Sequence, residues 1–88
     1  MAKVLVIGSG GREHALVWRL KQSPSVSEVF CAPGNGGIAQ DATCVTLPTP
    51  DDIVRFSREN GIGLVVIGPE QPLVEGLADR LEAESIPV

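Results

Sequence analysis

The order of apolar runs and helix signals in this chain predicts an α/β domain built on a doubly wound parallel sheet. Three observations carry that prediction. Val4-Leu5-Val6-Ile7 and Leu64-Val65-Val66-Ile67 are apolar at every position, the pattern of strands covered on both faces. Amphipathic, helix-spaced stretches separate the strand-like runs, as parallel crossovers require. The first run breaks at once into Gly8-Ser9-Gly10-Gly11, a strand-to-helix turn at the carboxyl edge of the expected sheet.

Each element follows from local chemistry. Val4 to Ile7 is too short for a helix and rich in β-branched residues, so it is the first strand. A helix is predicted over about Gly11 to Gln22, with Glu13 in its first turn and Arg19 and Lys21 in its last, all matching the helix dipole. Leu16, Val17 and Leu20 share one face, Trp18 is expected to pack at the helix margin, and Ser23-Pro24-Ser25 ends the helix. Glu28 to Ala32 is the second strand, followed by a turn-rich stretch from Ala32 to Gly37. Cys44 to Leu47 is a short third strand. Thr49-Pro50-Asp51-Asp52 opens a second helix with Thr as cap, Pro at the first position and acids in the first turn; Asn60-Gly61 closes it. Leu64 to Ile67 is the fourth strand and ends in Gly68-Pro69-Glu70-Gln71-Pro72. A last helix presents Leu73, Val74, Leu77, Ala78 and Leu81 on one face. Ile86-Pro87-Val88 reads as the start of a further strand, so the 88 residues are expected to be the first segment of a longer chain.

Composition narrows the function. One small domain is expected at this length, with 43% hydrophobic and 3% aromatic residues requiring a core of Val, Ile, Leu and Ala. A net charge of −4 without a basic stripe argues against nucleic acid as a partner. No apolar run approaches the roughly 18–20 residues of a membrane span, and with a strand pattern directly after Lys3 neither a signal peptide nor a transit peptide is expected. Cys31 and Cys44 fit no metal or redox spacing; they are expected to be buried thiols in a reducing, cytoplasmic setting.

The glycine turn is the chemical feature. Its backbone admits a close ligand, and the helix that follows directs unpaired N–H groups and a positive dipole end into the turn. Such a turn holds an anion, most often a phosphate. A dinucleotide fits poorly, because the third glycine of G-x-G-x-x-G is replaced by Glu13. The second strand also ends in Pro33-Gly34-Asn35, without the acid that binds a ribose 2′-hydroxyl. An NAD- or FAD-dependent oxidoreductase segment stays open as the alternative.

Three loops should gather at the carboxyl edge: Gly8 to His14, Pro33 to Gly37, and Gly68 to Gln71. The candidate binding residues are Gly8, Ser9, Gly10, Gly11, Arg12 and Glu13 in the first, Asn35 and Gly36 in the second, and Pro69 and Glu70 in the third. Arg12 can pair with phosphate through two N–H groups, and Glu70 can accept hydrogen bonds from sugar hydroxyls, which suggests a sugar phosphate. Plainer roles stand beside these: Glu13 serving only the dipole, His14 as a packed neutral imidazole, Glu70 as an ordinary loop acid. No nucleophile–base pair or metal-bridging carboxylate pair is evident, so no catalytic residue and no metal ligand is assigned.

Val4 to Leu16, Ala32 to Gly37 and Val65 to Leu73 closely resemble the phosphoribosylamine–glycine ligases, or glycinamide ribonucleotide synthetases. Gly-Ser-Gly-Gly-Arg-Glu-His at 8–14 is the specific motif; the other two support it. The resemblance covers essentially the whole chain and implies a Rossmann-like pre-ATP-grasp domain over residues 1–88, cut before the ATP-grasp domain. It implies an ATP-dependent ligase of purine biosynthesis with glycine, 5-phosphoribosylamine and ATP as partners and Mg²⁺ or Mn²⁺ as cofactor. ATP and metal would be bound by domains beyond these residues, so this segment alone should be inactive. The resemblance places the phosphoribosyl group on Gly8 to Glu13 and its ribose on Glu70. A pre-ATP-grasp domain of a related carboxylase is the other relative it admits. Gly36 departs from the family, many of whose members carry alanine there.

Overall fold

The computed structural model describes residues 2–8, 10–67 and 74–88. Its sheet has four strands, β1 (Ala2–Gly8), β2 (Val26–Pro33), β3 (Thr43–Cys44) and β4 (Ile62–Ile67), in the order β3-β2-β1-β4. All three pairings are parallel, with Val6 beside Cys31 on one side and beside Val66 on the other. Helix α1 (Gly11–Lys21) crosses from β1 to β2, α2 (Pro50–Glu59) from β3 to β4, and α3 (Val74–Ala83) follows β4. The doubly wound parallel sheet expected from the sequence is therefore the observed fold.

Two cores explain the unbroken apolar runs. Because side chains alternate along a strand, Val4 and Val6 face α1 and pack with Val17, Val29, Cys31 and Ile38. Leu5 and Ile7 face the opposite layer, where Ile53 and Val54 of α2 and Leu77 and Leu81 of α3 cover them. Phe30 meets Phe56 edge to face in that second core, with ring centroids 5.2 Å apart. Leu77 and Leu81 are buried as the helical pattern predicts. Leu73, and the side chains of Val74 and Ala78, lie outside the described residues.

The helices start and stop as their end residues dictate. Thr49 Oγ1 accepts the Asp52 N–H at 3.2 Å and donates to the Asp52 carboxylate at 2.9 Å, fixing the first turn of α2. At the other end Asn60 reaches back from both backbone and side chain to the Phe56 carbonyl, each bond 3.0 Å. Arg80 of α3 pairs with Asp51, and Arg58 of α2 lies 3.3 Å from Glu84, tying the two helices on one face.

Three expectations need correcting, and one element was not foreseen. The third strand pairs over only Thr43 and Cys44, opposite Phe30 and Cys31, rather than from Cys44 to Leu47. A single 3₁₀ turn, Ile38–Gln40, stands before it and buries Ile38 completely. Cys44 is half-buried, whereas Cys31 is fully buried. Trp18 is 54% exposed, because Val17 alone takes the fully buried place on α1 and turns its neighbour outward. The C-terminal Ile86–Val88 stretch runs alongside β4: the Val65 N–H donates to the Pro87 carbonyl at 2.9 Å. Among the described residues no helix is long and apolar enough to cross a membrane.

Candidate functional site

The strand order reverses between β1 and β4, so the turn leaving β1 stands at the switch point where open α/β sheets bind ligands. Gly8 there has φ +149°, and a Cβ on it would lie 2.3 Å from Glu13 Cγ. Both facts demand glycine. Gly10 caps α1 in extended conformation and donates its N–H to Glu13 Oε2 at 3.2 Å. Glu13 is therefore buried, with its carboxylate folded back into the turn three residues behind it. The spacing is that of a capping box in which Gly10 contributes backbone only.

That inward fold shapes what the turn can do. It removes the carboxylate from the open side while the first-turn N–H groups of Gly11, Arg12 and Glu13 keep no acceptor within the helix. Gly10, Gly11 and Arg12 are exposed, and Arg12 has no hydrogen-bond or ion-pair partner among the described residues. An exposed helix start with a neighbouring guanidinium attracts an anion.

The second loop is anchored to the first. The Gly8 carbonyl accepts the Gly34 N–H at 3.1 Å and the Cys31 thiol at 3.3 Å. Gly34 has φ +70°, and a Cβ there would stand 2.4 Å from Cys44 Sγ. Asn35 begins the 3₁₀ turn: its Oδ1 accepts the Ile38 N–H and its carbonyl accepts the Ala39 N–H, both at 2.9 Å. A Cβ on Gly36 would meet nothing within 4 Å, so an alanine there would fit without rearrangement.

His14 joins α1 to this loop. Its Nε2 lies 3.0 Å from Asp41 Oδ2, and Lys21 Nζ donates to Asp41 Oδ1 at 3.3 Å. The hydrogen bond from His14, then that from Lys21, holds the Asp41 carboxyl below its ordinary value of 3.8. The other edge of the imidazole lies against Gly37, where a Cβ would stand 3.2 Å from Cε1. Cys31 shows the opposite behaviour. Burial, then the neighbouring Cys44 and Glu13, pushes its thiol up to about 11.

Of the predicted site residues, the structure brings Gly8, Gly10, Gly11, Arg12 and Glu13 together with Asn35 and Gly36 at one sheet edge. Ser9, Pro69 and Glu70 lie outside the described residues. Sequence reasoning missed Asp41. It is 27 positions from His14, and no local pattern links the two. The inward turn of Glu13 had a signal, the three-residue spacing from Gly10 that a capping box uses. Among the described residues no three His, Cys, Asp or Glu side chains group as metal ligands would. The divalent metal that the resemblance implies therefore finds no matching donor set in them.

Comparison with known proteins identifies the family. Residues 2–88 match the family model described as phosphoribosylglycinamide synthetase, N domain. The chain is 55% identical over 87 residues to a phosphoribosylamine–glycine ligase of Rhizobium meliloti, covering 97% of this chain and 21% of that protein. It is 56% identical over 80 residues to the Rhodopirellula baltica protein of the same name, covering 89% of this chain and 18% of the other. The crystal structure of phosphoribosylamine–glycine ligase from Thermotoga maritima superposes with a TM-score of 0.63 at 28% identity, over 83% of this chain and 17% of that one. The chain thus spans about one fifth of the length of the curated relatives it matches.

Proposed function

This chain belongs to the phosphoribosylglycinamide synthetase N-domain family, and on that premise we propose that its sheet edge supplies the phosphoribosyl half-site of a ligase. The ligase joins glycine to 5-phosphoribosylamine in purine biosynthesis. ATP phosphorylates the glycine carboxylate, and the amine displaces phosphate from the acyl carbon, giving glycinamide ribonucleotide, ADP and phosphate. The work of this domain is to hold the amine partner. The first-turn N–H groups of α1 and the Arg12 guanidinium take the 5-phosphate, while Gly8, Ser9 and Gly10 keep the turn open to it. Glu13 braces the turn. Asn35 and Gly36 flank the sugar, and Glu70 with Pro69 accepts the ribose hydroxyls. ATP and its Mg²⁺ or Mn²⁺ belong to other parts of the ligase.

One observation carries the reading: the exposed start of α1 at the switch point, with Arg12 beside it and the Glu13 carboxylate turned inward. The same observation disfavours the dinucleotide alternative, because Glu13 fills the space under Gly8 that close helix–strand packing would require. The test is glycine-dependent ADP formation by a ligase of the relatives' full length that begins with this sequence. Glu70→Ala should lower kcat/KM for phosphoribosylamine about 10- to 150-fold, the worth of a charge-assisted hydrogen bond, and leave the KM for ATP unchanged. Normal kinetics in that variant would remove Glu70 from the site. The 88-residue chain alone should form no ADP.

A further inference from the structure

We propose that Asp41 is a positioning residue for this edge: its grip on His14 and Lys21 sets the separation between the glycine turn and the Asn35–Gly37 loop that a phosphoribosyl ligand must bridge. The inference rests on the phosphoribosyl reading given above, and it names a residue outside the three binding loops.

The geometry is a clamp. Asp41 stands directly after the 3₁₀ turn that Asn35 begins, and its two carboxylate oxygens take different partners from one helix. Oδ2 meets His14 in the first turns of α1, and Oδ1 meets Lys21 in the last. The imidazole is thereby held between Asp41 and Gly37, with its Cε1 edge on the loop. Asp41 also anchors itself through its own backbone, donating its N–H to the Ile38 carbonyl at 2.9 Å. The far end of the loop is already fixed, since Gly34 is bonded to Gly8. The loop is thus pinned at both ends, at one by β1 and at the other by α1. Asp41 supplies the second pin.

A ligand held only by the glycine turn does not sense that pin, whereas one bridging both loops does. Inorganic phosphate is the first kind of ligand, and ribose 5-phosphate is the second. The test follows amide shifts of Gly10 and Gly11 in the ¹⁵N-labelled 88-residue chain during titration with each compound. The wild-type chain should bind ribose 5-phosphate about five- to tenfold more tightly than phosphate, the worth of one or two neutral hydrogen bonds. Asp41→Asn should bring that ratio close to one with phosphate affinity unchanged, and Asp41→Glu should restore most of it. Should Asp41→Asn fail to fold, His14→Gln carries the same expectation from the other side of the clamp. Amide exchange gives a readout free of ligand: the Ile38 and Ala39 amides should exchange severalfold faster in Asp41→Asn. An unchanged affinity ratio or unchanged exchange would overturn the inference. If neither compound moves Gly10 or Gly11 in the wild-type chain, the phosphoribosyl reading falls, and the exchange rates alone decide whether the clamp exists.

Discussion

Gly8→Ala perturbs the turn at its tightest point, and its cost follows from two separate causes. The first is the backbone. At φ +149° an L-residue is strained, which costs about 1–3 kcal/mol. The second is Glu13, whose Cγ, Oε1 and Cδ would lie 2.3, 2.5 and 2.6 Å from the new Cβ. The Glu13 side chain must swing away, and it then loses the Gly10 N–H, a bond to a charged group worth about 1.5–3 kcal/mol. The two causes sum to roughly 2.5–6 kcal/mol. A domain of this length has only about 4–13 kcal/mol of stability in total. The melting temperature should therefore fall by at least about 10 °C. Urea denaturation of four chains separates the causes: wild type, Gly8→Ala, Glu13→Ala and the double variant. Glu13→Ala alone loses the same bond, but in the double variant that bond is lost once and the clash is gone. The double variant should hence be about 1.5–3 kcal/mol more stable than the sum of the single effects. Strict additivity, or a Gly8→Ala cost under about 1 kcal/mol, would refute the brace assigned to Glu13.

Other substitutions test separate parts of the molecule. Thr49→Ala removes the α2 cap and should cost about 1 kcal/mol, seen as a fall of about 4–8 °C in melting temperature. Ser57 Oγ is buried in α2 with no hydrogen-bond partner among the described residues, so Ser57→Ala should stabilise the chain by about 0.5–1.5 kcal/mol in the same melt. Iodoacetamide at about pH 8 should modify half-buried Cys44 in the folded chain and reach Cys31 only in denaturant. Because folding raises the Cys31 thiol from 9.0 to about 11, its contribution is intact below 9.0 and is lost as pH climbs towards 11; the melting temperature should decline across that interval.

The parts of the fold legible in the sequence are those set by short-range chemistry. Val4 to Ile7 and Leu64 to Ile67 announce two-sided burial, and both strands lie in the sheet between the two cores. Thr49-Pro50 marks the start of α2 because cap and first-turn preferences are local. What escaped depends on partners distant in sequence. The 3₁₀ turn exists because Asn35 Oδ1 holds the Ile38 N–H and because Ile38 fills the α1-side core, where Val17 and Val29 await it. The third strand is only two residues long, Thr43 and Cys44 pairing with Phe30 and Cys31 of β2, and that pairing joins positions more than ten residues apart. The site divides in the same way. The glycine turn is visible as a run of glycines, whereas the His14–Asp41 contact that braces it depends on how α1 lies over the loop.

On the proposed function, the edge at Gly8–Glu13 takes a phosphoribosyl group and not a dinucleotide. Amide-shift mapping of the 88-residue chain with ribose 5-phosphate and NAD, run in parallel, tests it most directly. Half a site should bind weakly. Ribose 5-phosphate should move the Gly8, Gly10, Gly11 and Asn35–Gly37 amides with a dissociation constant of about 1 mM, roughly 4 kcal/mol, and NAD should leave them in place. Saturable NAD binding at the glycine turn, with no response to ribose 5-phosphate there, would contradict it.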